Sequence, residues 1–191
     1  MSRSYPEVVL HSLKRSAPPL EPGSPIDHLL ECHARIRHVV GVAARLRDLG
    51  VQFASDAQVA ETAREVRRYF NLSMPLHEAD EESDVTPMLL SSANRSVVED
   101  HLIMMANEHC MLHLILDELD PLWARLEAEP AALAALRPAL QIATRRFEAI
   151  VDVHLVREER HVFPLVVALP EAEQKALLET MRQRRVDAPQ A

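Results

Sequence analysis

Two stretches of this chain repeat one another. HEADEESDVTPML (residues 77–89) and HLVREERHVFPLV (residues 154–166) both read His-x-x-x-Glu-Glu-x-x-Val-x-Pro-x-aliphatic. Side chains four apart share one face of a helix, so His77 with Glu81, and His154 with Glu158, can each aim an imidazole and a carboxylate at one point. A single pair of this kind is ordinarily a solvated ion pair. His113 and Asp117 have the same spacing without the flanking pattern, and they are read as a surface pair or as a pair that supports the ligands. Two copies with the same flanks ask for a shared interior, and therefore for a fold that brings several helices around one polar centre.

The rest of the chain agrees with helix. Among 191 residues there are only 3 glycines and 4% aromatics, while hydrophobic residues reach 48%, a balance that favours helix over sheet. Ser24-Pro25 reads as a cap followed by proline at the first helical position, opening a helix over residues 25–49 that Gly50 ends. Ser55-Asp56 caps a second helix reaching Leu90, which Pro75 should kink and Pro87 should tighten at its end. A third runs from Ser92 to Leu119 or beyond, with Leu102, Met105, His109, Leu112, Leu116 and Leu119 along one seam. Residues 129–138 are read as a connector, residues 139–168 as a fourth helix, and Pro170 as the start of a short last helix to about Arg184. The expected fold is all-α: an antiparallel up-down-up-down four-helix bundle over residues 25–168, with an irregular N-terminal arm over residues 1–24 and a C-terminal helix and tail over residues 169–191.

A formal net charge of -8, with no long basic surface, argues against nucleic acid. There is no signal-peptide core and no apolar run of membrane-spanning length. Two cysteines, Cys32 and Cys110, make no disulfide scaffold, so the chain is expected in the reducing cytoplasm.

The repeat also predicts what it lacks. If the chain is two similar helix pairs, each first helix should carry an equivalent ligand. His33 lies 44 residues before His77, and His109 lies 45 before His154. Both sit on apolar stripes, where an imidazole without a partner is costly. His28 is the rival on the first helix; it falls well off the stripe and is assigned a cap or surface role. The set is then His33, His77, Glu81, His109, His154 and Glu158. If both carboxylates bridge, the chain offers four nitrogen and four oxygen bonds to two octahedral ions. An oxo or hydroxo bridge leaves about two positions for an outside ligand. Imidazole with carboxylate suits Fe, and also Mn or Zn.

ECHARI, RYFNLSMPLHEADEE, NEHCML and HLVREERHVFP together resemble bacterial hemerythrin-like domains of the HHE cation-binding type, over roughly residues 25–168. The resemblance implies a non-haem di-iron centre on the same six residues. Oxygen-carrying hemerythrins use a fifth histidine, and their last carboxylate is an Asp one place further on. Here His113 stands one turn after His109; it is read as a core histidine bonded to Asp117, with a fifth ligand as the alternative. Glu159 and Glu82 are read as groups orienting the ligands or as solvated charges. Tyr69 is read as an exposed or capping residue that could otherwise reach the site. Both thiols are read as packed, and Met74, Met88, Met104, Met105 and Met111 as core filler. The functional expectation is a binder or sensor of O2, NO or peroxide, or of iron, with no catalytic residue assigned. The alternatives are an oxidase- or peroxidase-type di-iron enzyme or iron-handling protein, and a metal-stabilised structural bundle. A monomer or homodimer, with or without a separate protein partner, is expected.

Overall fold

In a computed structural model, residues 23–48 and 55–188 are described; the expected arm, apart from its last two residues, and the expected stop at Gly50 lie outside them. Five long helices make up the fold, with no strand among the described residues. Helix α1 is Pro25–Asp48. Helix α2 (residues 56–91) begins with the capping box the sequence announces: Gln58 N–H donates to the Ser55 hydroxyl at 3.3 Å, and Ser55 N–H donates to the Gln58 side chain at 2.9 Å. Helix α3 is Arg95–Ala128, α4 covers residues 133–167, and α5 is Glu171–Asp187.

The prolines mark places where the helical turn widens. Each of Pro75, Pro87 and Pro164 follows a π-helical turn: Tyr69–Ser73, Asp80–Val85 and Glu158–Val162. In each turn the residue before the proline donates its N–H five residues back, from Met74 to Tyr69, Thr86 to Glu81, and Phe163 to Glu158. A proline crowds the carbonyl four residues earlier and offers no N–H. Widening the turn by one residue removes that conflict and lets the helix continue. The repeated Glu-Glu-x-x-Val-x-Pro is thus the sequence of a π-turn, and both copies begin their widened hydrogen bond at the motif glutamate.

The connector is shorter than expected. Only Glu129 and a 3-10 turn at Pro130–Ala132 separate α3 from α4, and α4 starts at Leu133, not Ala139. Pro138 costs α4 a hydrogen bond near its start, where Leu133 and Leu140, both 1% exposed, anchor the segment in the core. Pro121 likewise lies inside α3.

Two apolar clusters fill the interior. One takes Ile36 to Leu46 of α1, Val59 to Met74 of α2, Leu112 to Leu126 of α3 and Leu133 to Leu155 of α4. The other takes Leu29, Val85, Leu89, Val98, Leu102, Met105, Val162, Phe163 and Val166, with Leu177 and Met181 of α5. On every one of the first four helices the motif histidines and glutamates lie between the two, so a polar layer crosses the core. Phe70 anchors the larger cluster, stacked on Trp123 at 5.6 Å and edge-on to Phe147 at 5.0 Å between ring centroids. No described helix is long and apolar enough to cross a membrane.

Phe147→Ala, at a fully buried position, is expected to cost about 3–5 kcal/mol, whereas Ser55→Ala, which removes one cap, is expected to cost about 1 kcal/mol. Urea denaturation followed by circular dichroism checks the ordering; equal losses would contradict the placement of the core around Phe70.

Candidate metal centre

Four helices each deliver ligand-type side chains into the polar layer: His33 from α1, His77 and Glu81 from α2, His109 from α3, and His154 and Glu158 from α4. All six are at most 3% exposed. Their donor atoms form two groups, His33–His77–Glu81–Glu158 and Glu81–His109–His154–Glu158, each gathered within 4.8 Å. Both carboxylates belong to both groups. Glu158 approaches His33 Nε2 at 3.1 Å and His154 Nε2 at 3.0 Å. Glu81 approaches His77 Nε2 at 3.3 Å and His109 Nε2 at 3.5 Å.

The outward-facing nitrogens decide what these inner atoms can do. His33 Nδ1 is 2.8 Å from Glu159, which Arg37 holds at 2.7 Å. His109 Nδ1 is 2.8 Å from Glu82. His154 Nδ1 is 3.2 Å from Glu108, and Arg157 clamps that glutamate at 2.9 and 3.0 Å. A neutral imidazole that donates Nδ1–H to a carboxylate has only a lone pair left at Nε2. The Nε2 atoms of His109 and His154 nevertheless face each other at 3.1 Å, and those of His33 and His77 face carboxylate oxygens. Lone pairs aimed at one another in a buried space repel unless a cation stands between them. Both oxygens of Glu81 and of Glu158, His33 Nε2 and His77 Nε2 are buried without a hydrogen-bond partner among the described residues. This donor set fits divalent or trivalent metal.

Without metal, protons must take that role. Burial works against charge on His33, but Glu158 and Glu81 outweigh it and lift its pKa to about 10. Burial is likewise outweighed at His109 by Glu81 and Glu82, again to about 10. His77 and His154 are pushed down to about 4, chiefly by burial. Glu158 is driven up by burial and by the neighbouring Glu81 charge, while Glu81, despite its burial, is held low by His77, His109 and His33.

Several sequence readings change here. His113 is neither a core residue nor bonded to Asp117: its side chain is 57% exposed and its Nε2 meets Glu78 at 2.7 Å, outside both donor groups. His28 is not a cap or a surface group but pairs with the buried Asp80 at 3.4 Å. Tyr69 is buried, not exposed, and packs edge-on to Phe70. Cys110 is exposed and not packed, whereas the half-buried Cys32 has its thiol pushed up to about 11 by burial. Of the methionines, Met74 and Met105 are core but Met104 and Met111 are 44% and 49% exposed. Glu78 and Glu108 were not singled out from the sequence. Their partners lie on other helices, so no local spacing marks them. Glu108 does occupy the position immediately before a ligand histidine.

A layer of imidazoles and shared carboxylates across a helical core defines a metal-binding bundle. The family model described as the Hemerythrin HHE cation binding domain matches residues 24–166, and the chain belongs to that family. A search of curated proteins found no match.

The metal-free chain should have a narrow stability optimum. His33 and His109 have raised pKa values, so their contribution is complete below 6.5 and is lost as the pH climbs toward 10. His77 and His154 have lowered values, so theirs is complete above 6.5 and is lost as the pH falls toward 4. Melting curves of chelator-treated protein across this range test both flanks; an alkaline flank that stays flat would refute the protonated-histidine picture.

Proposed function

We propose that the chain is a cytoplasmic non-haem di-iron protein that binds or senses a small oxidant or diatomic ligand (O2, NO or peroxide), with His33, His77, Glu81, His109, His154 and Glu158 as the metal ligands. The observation that carries this reading is the pair of donor groups sharing Glu81 and Glu158: two bridging carboxylates with two imidazoles at each end ask for two adjacent ions. Iron suits mixed nitrogen and oxygen ligation, with Mn or Zn as substitutes. When bound, a di-iron pair supplies redox-active sites open to a small ligand. The chain's own part is to hold six ligands in a dry layer and, through Glu159, Glu82 and Glu108, to fix the tautomer of three of the four imidazoles. The bundle is read as antiparallel up-down-up-down. The order in which successive helices meet the two apolar clusters alternates along the chain, which supports that reading.

Binding or sensing is preferred over oxidase chemistry because the charged groups that touch the imidazoles from outside, Glu159, Glu82 and Glu108, are engaged in orienting them. Anaerobic loading with Fe(II) followed by air is expected to give two irons per chain and oxo-bridge absorption bands; one ion or none would sink the proposal. His33→Ala should lose one iron and His28→Ala neither.

The two positions should also differ in strength. Among the described residues His77 Nδ1 is buried with no partner, and the residue before His33, where Glu108 stands before His109, is Cys32. Iron at the His33–His77 position is therefore expected to leave first under chelation. Glu108→Gln should narrow the difference by loosening the other position, by about 10-fold or more. Chelation kinetics that show two equal ions in the unaltered protein would contradict it.

A further inference from the structure

Among the described residues, nine of the twelve exposed large apolar side chains lie on α3 and α4: Val97, Ile103, Met104, Met111 and Leu114 on the first, and Ile142, Val153, Val156 and Val167 on the second. The two helices are neighbours. Glu118 bonds Arg146 at 2.8 Å, Glu108 bonds Arg157 at 2.9 Å, and an Arg157 N–H reaches the Met104 sulfur at 3.5 Å. As residue numbers rise on α3, those of their partners fall on α4. The exposed residues with helical spacing, Met104, Met111 and Leu114 on α3 and Val153 and Val156 on α4, therefore lie at matching heights along one outer face.

The charges bordering this face are segregated by helix. On α3 they are acidic, Asp100 at one end and Glu118 at the other. On α4 they are basic, Arg160 level with Asp100 and Arg146 level with Glu118; all four are exposed. We propose that this face is the interface of a homodimer. A two-fold axis running along the bundle lays α3 of one protomer on α4 of its partner at the same height. Asp100 then meets the partner's Arg160, the Glu118–Arg146 pair of each protomer lies against the reversed pair of its partner so that the four charges alternate in sign, and the apolar residues close between them. A face that is acidic on one helix and basic on its neighbour is complementary to itself, as a two-fold interface requires. From residues 97 to 118 it is about 30 Å long and two helices, about 20 Å, wide. That projects to roughly 600 Å², close to the ~800 Å² per partner of a standard interface. The second copy would cover the groove where Glu108 and Arg157 hold His154, shielding that flank of the metal layer from solvent.

Sedimentation equilibrium of the iron-loaded full chain is expected to give twice the 21.5 kDa of one chain. Leu114→Glu with Val153→Glu, both at exposed positions, should give monomers with unchanged helicity and iron content. Asp100→Arg alone should weaken the dimer at least tenfold, and Asp100→Arg with Arg160→Asp should restore it. A wild-type monomer at high micromolar concentration would overturn the proposal, as would a dimer indifferent to Leu114→Glu with Val153→Glu. A dimer that forms only after deletion of residues 1–22 would assign the face to that segment instead and would overturn it equally.

Discussion

The central constraint on this molecule is electrostatic: six ligand-type side chains, four imidazoles and two carboxylates, are packed into one buried layer. Such a layer is costly in isolation, because two carboxylates and four imidazoles lose hydration together. It survives because apolar clusters bind the helices on either side of it. Those clusters set the spacing of the helices before any ligand is satisfied. Positive charge, from metal or from protons on His33 and His109, then completes the layer. Metal affinity and fold stability are in this way two views of one balance.

The two halves of the chain are interlocked more tightly than a simple repeat demands. Glu82, the second glutamate of the first motif, holds His109 of the second half; Glu159, its counterpart, holds His33 of the first half. The first glutamates of the two motifs cross in the same way, Glu158 to His33 and Glu81 to His109. Neither helix pair can therefore build its own half of the centre. The symmetry fails where Cys32 holds the place that Glu108 holds in the other half, so that among the described residues His77 Nδ1 lacks the carboxylate that His154 Nδ1 has.

What could be read from the sequence follows from which interactions are local. The His-x-x-x-Glu pairs and the Ser55 cap are set by neighbours within one turn, and His33 and His109 by the spacing of the repeat, so pattern alone locates them. Glu108, Glu78 and the Asp80 partner of His28 act between helices, and no local period encodes them. Pro138 misled the reading of α4 because burial of Leu133 and Leu140 outweighs the lost hydrogen bond. The π-turns were hidden for a different reason: the prolines that mark them are locally indistinguishable from kinks, and only the ladder of backbone bonds tells one from the other.

Helix α5 lies beyond the segment that matches the family, which ends at residue 166, yet it bears on the centre. Arg184 and Arg185 both reach Asp80, Arg185 at 2.7 Å, and Arg184 also reaches Asp84 at 2.6 Å. Asp80 is fully buried and opens the π-turn that carries Glu81. Burial alone would raise its pKa, but His28, Arg185 and Arg184 together hold it below the ordinary value, so it stays charged. A buried carboxylate one residue from Glu81 would otherwise add a third negative charge to the layer and compete for the same protons. By neutralising Asp80 from the outside, α5 offsets that charge and pins the turn in which the buried Glu81 lies. The helix outside the recognised domain thus braces the ligand-bearing turn inside it.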